Sequence, residues 1–423
     1  MLARMNEPVP ISHAVYEARA AFVAELAARL HAYGTTAQRL EGAVAGVAQR
    51  LGLGCEVFSN PTGIILSFAD PVRGHHDGIT RVLRLAPGEQ NHGRLAATDA
   101  IAEQVLAGTL APKDGYDALL ALDRPPSRRA DVLGAATFGL SAGAVAALLG
   151  SSAVDIATAA AIGVVIGTLS VLSAGRPQLA EALEAVAALV ATLLAAAVAT
   201  FIEPISLKSV IVSSLIVLMP GLMLTNAVSE LSSQQLVSGT ARFAGAMMIL
   251  LKLTFGTVAA MQLVRLAGWV PREAVTSMPT PAAEGVSLIV ASFAFAVLFR
   301  AARRDYLLVM GAVLFGYALT RFGGEWLGLA TSRFAGGAFL GGMGVAAASN
   351  LYGRLFNRPG ALIRVPGIIL LVPGSVGFRS LGFVMERDVF LGLDAAVVLL
   401  STLVAIVAGL LFGNLLVPSR RNL

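Results

Sequence analysis

A single cysteine, Cys55, stands in 423 residues, so no internal disulfide is available and the fold must be held by packing. Histidine is nearly as scarce. His13, His31, His75, His76 and His92 all precede the first long apolar run, which leaves the rest of the chain no imidazole for metal binding or proton relay. Any proton coupling there falls to carboxylates. Charged residues make up only 13%, about half the share found in ordinary soluble domains, which argues against a cytosolic enzyme. The stretch before Leu133 has no apolar run of bilayer length. Glu7, Glu17, Arg19, Glu25 and Arg29 also interrupt any signal-peptide core, so this stretch is expected to stay attached as a soluble head.

What the chain does have is apolar residue in bulk: 56% of positions are hydrophobic, and the mean hydropathy is +0.75. The net charge of +5 would suggest nucleic acid in a soluble protein, but here the arginines cluster beside apolar runs. Membrane topology explains them without a nucleic-acid partner.

In the head, Val15, Ala18, Phe22, Leu26, Leu30 and Tyr33 recur at helical spacing up to Gly34. Thr35 with Gln38 predicts a capping box opening a second helix along Leu40, Val44, Val47 and Leu51. The runs 55–58 and 64–68, separated by Asn60, Pro61, Thr62 and Gly63, predict two strands and a turn, with a third strand over 81–85. Helices over 93–110 and 114–122 follow, and Pro125-Pro126 marks the linker into the membrane. His75-His76-Asp77 falls in an expected loop, where solvation explains it better than a metal site.

Apolar runs over 132–150, 154–172, 179–201, 209–228 and 241–266 make a first set of spans. Runs over 286–299, 306–322, 334–351, 361–378 and 389–417 make a second, for about ten in all. The resulting fold class is an α-helical polytopic membrane protein with a small N-terminal α+β domain: 1–128 head, 129–269 first half, 270–285 linker, 286–423 second half. With the head inside, about thirteen flanking Lys and Arg fall on the inner side and about seven on the outer. That bias places the head and the C-terminus in the cytoplasm at an inner (plasma) membrane. Five spans per half make the halves inverted relative to one another if they are repeats.

A repeat is visible. Phe201-x-x-Pro204 leading to Leu218-Met219-Pro220-Gly221 parallels Phe356-x-x-Pro359 leading to Leu371-Val372-Pro373-Gly374. A Pro-Gly pair inside an apolar run predicts a broken helix, because proline removes a donor and glycine adds freedom. Hydrocarbon cannot satisfy the freed groups, so they line protein or a wet cavity, and matched breaks in two halves point to a transport site. A simple proline kink is the plainer reading.

The Thr62-Gly63 turn, the Thr80-Arg81 strand and the 93–110 helix come first, followed by the Pro220-Gly221 span, Pro366-Gly367 and Leu371-Val372-Pro373-Gly374. In this order and layout, over nearly the whole chain, the sequence resembles the threonine/serine exporter family. The resemblance implies secondary export of L-threonine or L-serine, driven by the proton motive force. Similar proteins split into two subunits are associated with succinate export, which keeps a small dicarboxylate as the alternative substrate.

Candidate site residues follow. Lys252, in the middle of the fifth span, costs about 2.5–3.5 kcal/mol to insert and calls for a carboxylate, carbonyl or anion. Asp155 is one candidate partner and a substrate carboxylate another, while snorkelling is the plain alternative. Asp155 and Asp394 are the candidate proton-coupling acids, although for Asp394, near the start of the last span, an ordinary interfacial acid is the more common reading. Asn226, just past Pro220-Gly221, is the candidate reader of polar substrate groups. Gln262, Asn350 and Asn414 are as well explained by helix-helix bonding. Glu181 and Glu184 open the third span, where acids complement the helix dipole. Gly139-Leu140-Ser141-Ala142-Gly143 matches a nucleophile elbow, yet no strand can precede Ser141 in hydrocarbon. Close helix packing by Gly-x-x-x-Gly is expected there, and again at Gly163/Gly167, Gly337/Gly341 and Gly409/Gly413. No cofactor, metal or catalytic residue is expected, and a hydrolase head anchored by the membrane body is disfavoured. The partners expected are substrate, protons and lipid, with a homo-oligomer compatible.

Overall fold

The computed structural model describes residues 13–70, 74–123, 127–274, 280–326, 333–385 and 388–419. The Pro125-Pro126 linker and the terminal Arg420 and Arg421 lie outside them.

The head opens with helices α1 (His13–Ala32) and α2 (Ala37–Arg50), turned by Gly34 in the left-handed region at φ +84°. An antiparallel sheet follows, in order β1 (Gly54–Asn60), β2 (Gly63–Asp70) and β3 (Gly74–Arg84). Asn60 pairs with Gly63 across a tight turn, where the Asn60 carboxamide oxygen accepts from the Thr62 amide at 2.9 Å. The two strands read around 55–58 and 64–68 are present. The third begins earlier than the expected 81–85, so His75 and His76 sit in a strand rather than a loop. Among the described residues no three His, Cys, Asp or Glu gather as metal ligands. Ile64, Leu66 and Phe68 alternate inward and are fully buried with Phe22, Leu26 and Leu40, each contributing about 1.5–3 kcal/mol by burial. Helices α3 (His92–Leu106) and α4 (Pro112–Leu120) complete this unit.

Twelve further helices follow. They are α5 (Arg128–Leu148), α6 (Ala153–Ser173), α7 (Pro177–Phe201), α8 (Leu207–Ser214), α9 (Gly221–Ser232) and α10 (Leu236–Leu266), then α11 (Pro281–Leu298), α12 (Tyr306–Trp326), α13 (Arg333–Phe356), α14 (Ala361–Ile369), α15 (Gly374–Met385) and α16 (Val389–Leu416). Among the described residues eight helices are long and apolar enough to cross a membrane, or nine if the bent pair α8–α9 is one span. The expected run over 334–351, in α13, is not among those counted.

The pairing of these helices repeats. Helix α5 packs on α6, α6 on α7, α7 on α10, α8 on α6 and α7, and α9 on α10. Adding six to each label gives pairs that are also in contact: α11 on α12, α12 on α13, α13 on α16, α14 on α12 and α13, and α15 on α16. Across the two sets, α5 meets α11, α9 meets α15 and α16, and α10 meets α15. Small residues let these helices approach. A methyl on Gly139 would fall 2.7 Å from the Ala160 carbonyl oxygen, and one on Gly163 would fall 2.9 Å from the Gly139 Cα. Ser141 is thus a buried residue inside a closely packed helix pair, as the glycine spacing predicts.

Each interruption ends at Pro-Gly, where α9 and α15 begin. Residues 207–214 and 216–232 meet at a 53° bend a few residues before Pro220-Gly221, while 361–383 passes as one apolar span. At each break the glycine amide turns back on the residue before the proline: Gly221 N–H donates to Met219 O at 2.9 Å, and Gly374 N–H to Val372 O at 3.0 Å. The two glycines face each other. A methyl on Gly221 would lie 3.2 Å from Gly374 N and Cα, and one on Gly374 would lie 3.1 Å from Gly221 N and Cα. Pro220, Gly221, Pro373 and Gly374 are all buried.

Gly374→Ala is therefore expected to cost about 1–3 kcal/mol through overpacking against backbone that cannot yield. Gly42→Ala, at an exposed helical position with open space for a methyl, is expected to gain about 0.5–1 kcal/mol. Thermal unfolding of the two variants beside the unsubstituted protein checks both signs.

Candidate functional site

Two helix N-termini converge at the crossing of the breaks, since α9 begins at Gly221 and α15 at Gly374. First-turn amides have no intrahelical acceptor, and the peptide dipoles give each N-terminus about half a positive charge. Two such ends in contact make a place that favours an anionic group. Asn226 lies five residues beyond Gly221 on α9, part-buried and without a hydrogen-bond partner among the described residues.

The other sequence candidates sit elsewhere. Lys252 is mid-helix in α10, but its ammonium donates to the Glu181 carbonyl oxygen at 2.6 Å and pairs with Glu184 at 3.3 Å. These acceptors belong to the first two turns of α7. At about 46 Å, α10 is longer than a bilayer core, so its midpoint lies level with the start of its neighbour. Helix length, invisible in the hydropathy of a single run, moves Lys252 toward the head end and supplies its partners. Asp155 is not that partner. It is 1% exposed and belongs to a true capping box, taking the Ser152 amide at 2.9 Å while its own amide donates to Ser152 Oγ. Its other oxygen accepts from the Ser206 amide at 2.8 Å, tying α6 to the α7–α8 connection. Asp394 is exposed on α16, Gln262 is exposed on α10, and Asn350 bonds Asn414 and the Val417 carbonyl to join α13 to α16.

The sequence reading missed the junction between head and membrane helices. Ala37, not Thr35, starts α2, and Thr36 at the cap makes no side-chain bond. The cap comes from the far end of α9: Glu230, 1% exposed, accepts from the Ala37 amide at 3.0 Å, from Ser238 Oγ at 2.8 Å and from Arg242 Nε at 2.9 Å. Glu41 joins the Ser59 amide to the Gln235 carboxamide. On the second set, His92 and Gly93 amides donate to the Phe299 and Arg300 carbonyls, where Arg300 takes the left-handed conformation at φ 50°. Next to this, Arg358 forms a two-pronged bond to the buried Asp305 at 2.7 and 2.8 Å. The connections after α9, α11 and α13 thus all reach the head end. Those after α5, α7 and α10 gather at the opposite end, where Ile205 bridges Glu273.

Two head groups titrate abnormally here. Burial, then Glu103, pushes the Asp99 carboxyl up to about 7, against the pull of Arg358. Burial holds the His92 imidazole down to about 4, partly offset by Asp305. Asp99 keeps a proton that the unfolded chain gives up at 3.8, so its contribution to stability is full at acid pH and is lost as pH rises to about 7. His92 acts oppositely, its contribution falling as pH drops from 6.5 toward about 4.

Asp99→Asn is expected to raise the unfolding midpoint over the unsubstituted protein at about pH 8 and to lose that advantage by about pH 4. Equal midpoint differences at both ends contradict the assignment. Glu230→Ala strands Arg242, Ser238 and a helix amide, at a cost of about 3–5 kcal/mol. Limited proteolysis should then release the head at protease levels that leave the unsubstituted protein whole.

Comparison with known proteins adds to this geometry. A family model for threonine/serine exporters matches residues 21–264, and a second, described as Threonine/Serine exporter, ThrE, matches residues 284–416. Neither the curated proteins nor the solved structures contain a match. The two matched segments cover the head from residue 21, both breaks and every membrane helix but the last two residues of α10 and the first three of α11, and on that coverage the chain belongs to the threonine/serine exporter family.

Proposed function

We propose that this multi-pass membrane protein exports a small hydroxy amino acid, threonine or serine, from the cytoplasm across the inner membrane, with protons entering as the substrate leaves. The family supports the substrate class. The single observation that carries the site is the contact of Gly221 with Gly374, which brings two half-helix N-termini to one point among buried residues. A substrate carboxylate suits that point, because it accepts first-turn amide protons and sits at the positive end of both dipoles. Asn226, one turn and a half further on, supplies a donor and an acceptor for the ammonium or hydroxyl. Lys252, occupied by Glu181 and Glu184, is left outside this site.

Alternating access fits two halves, α5–α10 and α11–α16, arranged as inverted repeats. The shared pairing pattern supports this, and so does polarity: α5 starts at the head end, whereas α11 finishes there. In the arrangement described the breaks are packed together, and substrate enters when the halves part around them. A cytoplasmic head agrees with the arginine-rich connections on that end.

Vesicles preloaded with labelled threonine test the reading. Efflux is expected to exceed that of empty-vector vesicles, to accelerate with an inward proton gradient and to saturate with substrate. Identical leakage from both preparations rejects transport. Competition by succinate but not by serine would transfer the assignment to a dicarboxylate. Asn226→Ala is expected to lower efflux about tenfold, the worth of a lost hydrogen bond of about 1.4 kcal/mol, with an unchanged unfolding midpoint.

A further inference from the structure

A carboxylate in the second set of membrane helices is bonded to a partner that carries no charge. Glu284 stands in the first turn of α11 rather than in the expected linker, and its Oε1 accepts from the Tyr317 hydroxyl of α12 at 2.5 Å. Arg321, one turn beyond Tyr317, brings its Nε to 3.9 Å from the same oxygen, outside hydrogen-bond reach. Other acids of the membrane helices are held differently. Glu230 takes Arg242 at 2.9 Å, Asp305 takes Arg358 at 2.7 Å, Glu184 takes Lys252 at 3.3 Å, and Asp155 takes backbone amides. Protonating a carboxylate fastened by a cation strands that cation, whereas one bonded to a phenol can exchange donor and acceptor roles with it.

The pair also spans depth. Glu284 is fourteen residues before Leu298, where α11 ends at the head, and so lies about 21 Å from that end, while Tyr317, eleven residues beyond Tyr306, lies about 17 Å from it. Tyr317 is thus near the middle of its helix, and Glu284 is near the end facing away from the head. Helix α5, which also packs along α11, keeps Arg128, Arg129 and Asp131 in its first turn at the head end, and Tyr306 meets Phe293 edge-on nearer the head. Among the described residues, the ionisable groups facing Glu284 are Tyr317 and Arg321. The seam they close reaches both breaks. Ala291, Phe295 and Val313 of this seam form one apolar cluster, on which Leu222, next to Gly221, and Ile369, shortly before Pro373-Gly374, both pack. Gly316, beside Tyr317, is pressed so closely on α14 that a methyl there would overlap the Gly367 carbonyl oxygen.

We propose that Glu284 is the group that accepts the incoming proton, with Tyr317 and Arg321 as its positioning residues. The inference rests on the proton-driven export proposed above. In the charged state the carboxylate accepts from the phenol and attracts the guanidinium, which holds α11 on α12. A proton arriving from the outer side binds Glu284 and cancels that attraction. The carboxyl then donates and the phenol accepts, and the seam leading to the two breaks is free to open as substrate leaves. The proton departs toward the cytoplasm when the seam closes again, and no covalent bond between heavy atoms forms or breaks.

Right-side-out vesicles preloaded with labelled threonine test it by separating coupled efflux from exchange, which trades label for unlabelled threonine with no net proton movement. In Glu284→Gln, the acceleration of efflux by an inward proton gradient is expected to be lost while exchange persists. Glu284→Asp is expected to keep the acceleration, and Tyr317→Phe to keep it with efflux lowered several-fold. Acceleration that survives in Glu284→Gln overturns the inference and leaves the export reading intact. Loss of both activities in Glu284→Gln and in Glu284→Asp also overturns it, since the residue then serves the fold rather than the proton. An unsubstituted protein with no efflux above empty-vector vesicles, or with efflux that a proton gradient does not change, removes that reading and this inference together.

Discussion

Backbone that cannot pair with itself has to be kept from lipid, and the arrangement of the membrane helices follows from that requirement being met twice. Proline at 220 and 373 removes a donor from the helix ladder, and the following glycine amide folds back on the carbonyl two residues earlier. In hydrocarbon each freed group would cost several kcal/mol, on the order of a lost hydrogen bond or more. The two breaks therefore shelter each other, glycine against glycine, with α10 and α16 packed on the half-helices that lead away. Any Cβ at the contact would hold the breaks apart, which is why residue size and backbone freedom are both constrained at those two positions.

The second organising element is charge placed where the head meets the membrane helices. Glu230 closes the N-terminus of a head helix from a helix that begins at a break, so the head senses the far end of the same twelve-residue rod whose near end forms the site. Asp305 and Arg358 do comparable work on the other set, next to a buried histidine and a buried aspartate whose proton affinities are displaced in opposite directions. Such displaced groups cluster at places where two bodies are joined through polar contacts in a low-dielectric setting.

Much of this was legible in the chain itself. The alternation of Ile64, Leu66 and Phe68 announced the inward face of β2, and the Pro-Gly repeat announced both breaks, because each signal is local. The tertiary cap was not legible: Thr35 and Gln38 make a plausible local box, but the acceptor actually used lies 193 residues away. Asp155, read as a coupling acid, closes a cap whose partner Ser152 was present in the sequence and overlooked. Lys252 stands mid-helix, as its run suggests, but its bonds to Glu181 and Glu184 were not legible, because hydropathy measures a run's apolarity and not how far a 31-residue helix projects beyond its neighbours.

The head is held by connections from both sets of helices, through Glu230 and Gln235 on one and through the Phe299–Arg300 carbonyls on the other. It is covalently continuous with only the first. The peptide segment between α10 and α11 joins the sets at the opposite end, whereas at the head end the head itself joins them through directional bonds to backbone. A rotation of one set against the other has to be accompanied by slippage or tilting of the head, which makes the head a mechanical reporter of how the two sets stand.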